Sequence, residues 1–165
     1  MSIRKGQAWS MDFIISAALF LMVLVVLLFA WNYVSSDTSS QMEIKRMETK
    51  VLDISDSIIM TPGLPADWSG SDVVIIGLAI EEGKLNGTKV AEFVAMDYDD
   101  ARTRLGTGAY DFYFRLKDSD NRTITIQETD AEAGVYPSDA EMIAASERYV
   151  IVDGTPATMV LLLWL

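Results

Sequence analysis

From Phe13 to Ala30 the chain reads FIISAALFLMVLVVLLFA, a run of 18 residues whose only polar side chain is Ser16. As an α-helix this run covers about 27 Å, enough with its flanks to cross the hydrocarbon core of a bilayer. Trp9 precedes it, and Trp31 and Tyr33 follow, as amphipathic rings do at membrane interfaces. A buried helix of a soluble protein rarely runs this long without charge. Past the run the apolar pattern changes rather than stops. Ile44, Met47, Val51, Ile54 and Ile58 are spaced 3, 4, 3 and 4, which makes one apolar stripe on a helix. Glu43, Lys45, Arg46, Glu48, Lys50 and Asp53 occupy the other faces, so the stripe needs a cover, from its own domain or from a neighbouring helix. TPGLP at 61–65 ends the helix, because proline cannot continue it and glycine supplies the turn. A nearly continuous helix from Gln7 to Ile59 would be roughly 80 Å long. SSDTSS at 35–40 is its weak point, since hydroxyls compete for backbone hydrogen bonds, and a bend or melted turn is expected there.

Beyond residue 65 the periods shorten. DVVIIGLAI (72–80) predicts a short apolar strand. Lys89–Phe93 and Tyr98–Leu105 predict two short helices, the second ended by Gly106. YDFYFRLKD (110–118) alternates, with Tyr110, Phe112, Phe114 and Leu116 on one face, and RTITIQ (122–127) alternates too. DSDN (118–121) would join these two as a hairpin, with a loop over 128–140. RYVIVDGTPATMVLLLWL then closes the chain as a hairpin turning near Asp153-Gly154. The expected fold is α+β: a long N-terminal helix, transmembrane in its first half and amphipathic in its second, packed on a small, mainly antiparallel β-sheet head.

Charge orients this arrangement. Arg4 and Lys5 stand before the apolar run and no further Lys or Arg follows until Lys45, so the positive-inside rule keeps the N-terminus cytoplasmic and exports the rest. A cleavable secretory signal would have a shorter apolar stretch and a small-residue site after it; FAWNYVSS is a poor one. Residues 37–165 carry 23 acidic and 11 basic side chains, a net charge of −12. That balance argues against nucleic acid or anionic lipid as a partner, since both need clustered Lys and Arg. With no Cys in the chain, the head must hold together by its core alone, which a domain of this size can supply.

His is absent as well, which removes the usual general base together with the Cys nucleophile. No nucleotide, dinucleotide, zinc-hydrolase or serine-hydrolase motif occurs, so neither an enzyme nor a cofactor is expected. DYDD (97–100) and DSDN lack the spacing and bidentate Glu of a calcium loop and read as solvated turns. Two of the chain's three Asn residues, Asn86 in NGT and Asn121 in NRT, begin N-glycosylation sequons.

The N-terminal stretch RKGQAWSMDF, followed directly by the apolar helix, resembles the class III signal peptide of archaeal type IV pilin-like proteins. TPGLPADW, IGLA, RLGTGAYDFYFRL and the terminal LLLWL are similar to phrases of archaeal pilin heads, in the same order. The resemblance implies that a prepilin peptidase removes a leader, residues 1–6, on the cytoplasmic side. Lys5 and Gly6 match the cut, Gln7 the new terminus, and Asp12 with Phe13 the acid-aromatic pair. In that family the acid is thought to meet the N-terminal amine of a neighbouring subunit. Counted from Gln7, Asp12 is sixth where the family's acid is usually a fifth-position Glu, about 100° further round a helix. Asp12 also reads, without the family, as an interfacial charge or as the N-cap of the membrane helix.

The resemblance implies a transmembrane and assembly helix (7–36), an amphipathic extension (37–60) and an extracellular head (61–165). The chain would be a structural subunit, major or minor, of a type IV pilus-like surface filament serving cell adhesion. Its partners would be the prepilin peptidase, other pilin subunits and the membrane. The alternative is an uncut, single-pass membrane-anchored surface protein with an acidic binding head.

Overall fold

The computed structural model describes the backbone of residues 5–165, and the side chains of all of these except 5–10, 34–40 and 71. Chain contacts divide it into two units, Met1–Glu43 and Ile44–Leu165. A single helix, α1 (Lys5–Met60), contributes to both. It continues through 35–40 as regular helix, so the turn expected to melt there is formed. Further along α1, the hydroxyls of Thr49 and Ser55 donate to the carbonyls of Lys45 and Val51, four residues back.

The second unit is α+β. After α1 come the strands β1 (Ala79–Glu81) and β2 (Lys84–Leu85), then the helices α2 (Gly87–Val94) and α3 (Tyr98–Leu105). The strands β3 (Asp111–Lys117), β4 (Thr125–Ile126), β5 (Thr129–Asp130), β6 (Glu132–Gly134), β7 (Ile143–Val152) and β8 (Thr155–Trp164) follow. Six of them form one sheet in the order β1-β2-β7-β8-β3-β6, while β4 and β5 pair separately. All pairings are antiparallel except β2 with β7. The closing hairpin is the backbone of the sheet, and it turns at Asp153 (φ 47°) and Gly154 (φ 88°). Two left-handed residues in succession match the twist of the flanking strands.

One buried cluster gathers Met47, Val51, Ile54 and Ile58 of α1 with the inward residues of α2, β3 and β8. Ile44, the first residue of the predicted stripe, stays exposed. In β3 the alternation puts Phe112, Phe114 and Leu116 fully inside, each worth about 1.5–3 kcal/mol of burial. Phe93 of α2 meets Phe114 edge-on at 5.1 Å, and Tyr98 of α3 lies flat on Phe112 at 5.3 Å. Arg148 of β7 donates to Asp56 Oδ1 of α1 at 3.2 Å.

Three sequence expectations are corrected. The segment 72–80 is a strand only from Ala79 onward; before that it is a 3-10 turn (Gly70–Asp72) and irregular chain. Its backbone is satisfied elsewhere: Leu78 N donates to Ile58 O, Ala79 N to Thr61 O, and Ile76 N to Arg104 O. With Val74 and Ile75 also bonded to Leu64 in a single antiparallel bridge, the segment is tied to α1, α3 and the 61–64 turn and not to a long ladder. Second, 122–127 does not make the expected full hairpin with 110–118. The two are joined only near the turn, by the Asp118–Arg122 bonds, a bridge at Lys117–Thr123 and a bond from Ile124 N to Leu116 O. The long partner of β3 is β8, in register from Asp111–Trp164 to Lys117–Thr158, because that pairing buries two continuous apolar faces. Third, the loop at 128–140 supplies β5 and β6, the latter covering the other edge of β3. The predicted helix Lys89–Phe93 is found as Gly87–Val94, and Tyr98–Leu105 as read, closed by Gly106 at φ 70°.

Candidate assembly surface and head sites

Met11–Tyr33 is a stretch of helix long and apolar enough, by length and composition, to cross a membrane, and none of it is buried within the chain. Phe13, Trp31 and Tyr33 are 73%, 75% and 79% exposed. A helix apolar on nearly every side is suited to burial in lipid or among other helices. Asp12 and Phe13 lie side by side at the N-terminal end of this belt, both exposed. The helix already runs from Lys5, so Asp12 is an interior position and its reading as the helix N-cap is overturned: an N-cap precedes the first turn. The processing residues Lys5, Gly6 and Gln7 have helical backbone, but their side chains lie outside the described residues, as does the leader segment 1–4 entirely.

In the head the two sequons stand in different settings. Asn86 is the N-cap of α2, its Oδ1 accepting from Thr88 N at 2.9 Å and from Lys89 N at 3.4 Å. Asn121 is exposed on the 118–122 turn, at φ 62°. The acidic clusters behave as turns and caps. Asp97 caps α3 by accepting from Asp99 N and Asp100 N. Asp118 accepts from Asp120 N and Arg122 N, and these bonds, led by the one from Arg122, hold its carboxyl below the usual range. Among the described residues no group of His, Cys, Asp or Glu is arranged to hold a metal ion.

Sequence reading missed Lys89. It is almost fully buried, and its Nζ donates to Pro62 O at 2.5 Å and Ala66 O at 2.6 Å, over the ring of Trp68. Burial lowers its pKa, with Asp67 and Glu92 opposing. The ammonium fastens the chain that leaves α1, and Trp68 helps by donating to Pro62 O and Gly77 O, both at 3.0 Å. The only local signal was a lysine next to the apolar side of a short helix, a position that normally points to water.

Tyr98 gives a measurable pH signature. Burial, and then the bond it donates to Asp111 Oδ1 at 2.6 Å, push its pKa up to about 12. A phenol raised above its unfolded value of about 10 contributes stability that is full below pH 10. That contribution is lost as pH rises through 12, because the unfolded chain gives up its proton first. Tyr113, also raised by burial, adds to the same loss. Tyr98→Phe should cost about 1 kcal/mol at neutral pH and flatten the fall in stability between pH 10 and 12. Denaturation midpoints across that range read both effects, and an unchanged alkaline limb would reject this role.

Compared with known protein families, curated proteins and solved structures, the chain matches none of them.

Proposed function

We propose that this chain is a structural subunit of an archaeal type IV pilus-like surface filament, cut after Gly6 and assembled through its N-terminal apolar helix. The observation that carries the reading is the belt 11–33, apolar but for Asp12, Ser16 and Asn32 and not buried within the chain itself, which begins within RKGQAWSMDF. In the membrane, lipid covers the belt. In a filament, sister helices take lipid's place, and the head stays outside with its core closed by the 47–58 stripe of α1 packed on its own sheet. Asp12, inside the helix at the end of the belt, then faces other helices, where a lone carboxylate is costly and a paired one is tolerated. The prepilin peptidase and sister subunits are the partners, and the head contributes no chemistry.

The second reading, an uncut single-pass surface anchor, draws on the same belt, because Trp31 and Tyr33 at its outer end suit a lipid interface as well as a helix bundle. The processing site separates the two. The chain is co-expressed with an archaeal prepilin peptidase and its N-terminus read by intact mass and terminal peptide sequencing, with Gly6→Val as control. A start at Gln7, free or cyclised, that disappears in Gly6→Val is expected. A terminus at Met1 or Ser2 in both would leave a plain membrane anchor and end the filament reading.

A further inference from the structure

We propose that the exported head carries an N-linked glycan at Asn121 and none at Asn86. The inference rests on the reading that residues beyond the membrane helix are outside the cell. Both residues start an Asn-x-Thr sequon, and at both the amide oxygen is already used. At Asn86 it takes backbone N–H bonds; at Asn121 it accepts from Arg115 Nη2 at 3.2 Å. Backbone N–H and guanidinium groups only donate, so in each case the oxygen is the bonded atom and the nitrogen Nδ2 is the one left to react. The difference lies in what else the sequon is doing.

A glycosyltransferase has to hold Asn, the middle residue and Thr in its own site. At 86–88 the fold already holds all three. Asn86 caps α2. Gly87 is buried and donates its N–H to Asp153 Oδ1 at 3.1 Å, and a methyl group there would collide with that carboxylate. Thr88 Oγ1 accepts from Gln127 Nε2 at 3.3 Å. The same helix carries Val90 and Phe93 into the core, so freeing this sequon means unwinding the start of α2 and loosening the β7–β8 turn. At 121–123 nothing comparable is at stake. Asn121 and Arg122 are exposed on a turn closed by Asn121 N to Asp118 O and Asp118 N to Arg122 O. Arg122 is held within the same turn, by its backbone bonds to Asp118 and by surface pairs of its guanidinium with Asp118 and Asp120, and Thr123 by its backbone bridge to Lys117. This turn can enter an active site with the core intact.

The donor would be a lipid-linked oligosaccharide. Asn121 Nδ2 bonds to the sugar C1 as the bond from C1 to the lipid phosphate oxygen breaks; the lipid phosphate leaves, and one amide proton passes to a base of the transferase.

The test is glycopeptide mass mapping of the full chain made in an N-glycosylating archaeal host, with Asn121→Asp and Asn86→Asp. Asp removes either sequon yet still caps a helix and tolerates a left-handed φ, so both variants keep the fold. The glycan is expected on the Asn121 peptide, lost in Asn121→Asp and unchanged in Asn86→Asp. Protease shaving of intact cells reads export separately. A glycan on Asn86, or a shaved head with bare Asn121, overturns this inference alone. A head protected on intact cells but digested after lysis overturns the export reading and the inference with it.

Discussion

Asp12→Ala is expected to abolish surface filaments while leaving both the cut after Gly6 and membrane insertion intact. The substitution makes insertion easier, since an acid within a membrane helix costs up to about 2.5–3.5 kcal/mol that alanine does not. In the proposed filament, however, lipid headgroups and water are gone from the helical interior, and the pilin resemblance implies a partner for the carboxylate there, the N-terminal amine of a neighbouring subunit whose Gln7 is uncyclised. Removing one member of a buried pair leaves the other uncompensated, at about 3–5 kcal/mol. Each 1.4 kcal/mol is about tenfold in an equilibrium, and the loss recurs at every subunit. Asp12→Glu restores the charge and should restore filaments at least in part. Electron microscopy of cells, with the N-terminus read by mass in the same samples, is the measurement. Normal filaments with Asp12→Ala would strip Asp12 of any part in assembly and return it to an interfacial charge.

Gly77→Ala is the expected large effect on the head. Gly77 lies where the chain leaving α1 runs back past itself, and a Cβ there would come under 3.0 Å from Gly63 N and from both Thr61 O and Oγ1. Two of those three atoms are backbone, so no rotamer change relieves the clash. The neighbourhood is already tied: Thr61 O accepts from Ala79 N, and Gly77 O from Trp68 Nε1. Forcing them apart should cost about 3 kcal/mol, the upper part of the range for overpacking. Against a total stability of about 5–15 kcal/mol, that lowers Tm by about 10 °C. Gly83→Ala is the control, because its Cβ meets nothing and only its φ of 72° resists; about 1 kcal/mol is expected. Thermal unfolding of the full chain in detergent, followed by near-UV circular dichroism, compares the two. If Gly77→Ala melts with Gly83→Ala, the 61–63 turn gives way freely and the close approach has no energetic weight.

Local features were legible wherever a residue's own neighbours in sequence decide its state. The apolar run, the stop at TPGLP, helix α3 with Gly106 after it, and the Asp153-Gly154 turn all follow from periods and caps. Those act within a few residues. The sequence also placed Phe112, Phe114 and Leu116 inside, because alternation assigns a face without naming a neighbour, but it did not show that Tyr113 on the other face is buried as well. Nor did it determine the neighbour. The choice of β8 over 122–127 as the partner of β3 was made across the chain, by the apolar surface that pairing buries. In the same way, 72–80 reads as a strand by composition, and only the bonds to Ile58, Thr61 and Arg104 show that its hydrogen-bonding groups are taken.

The candidate sites divide along the same line. RKGQAWSMDF and the two sequons are chemical signals carried by residue types in order, so the sequence alone supplied them. That Asp12 lies inside a helix and that Asn86 caps one are local matters, set by where each helix begins. The burial of Lys89 was decided by tertiary structure, because its partners Pro62 and Ala66 lie more than twenty residues away and such long-range bonds are settled only when the whole core closes.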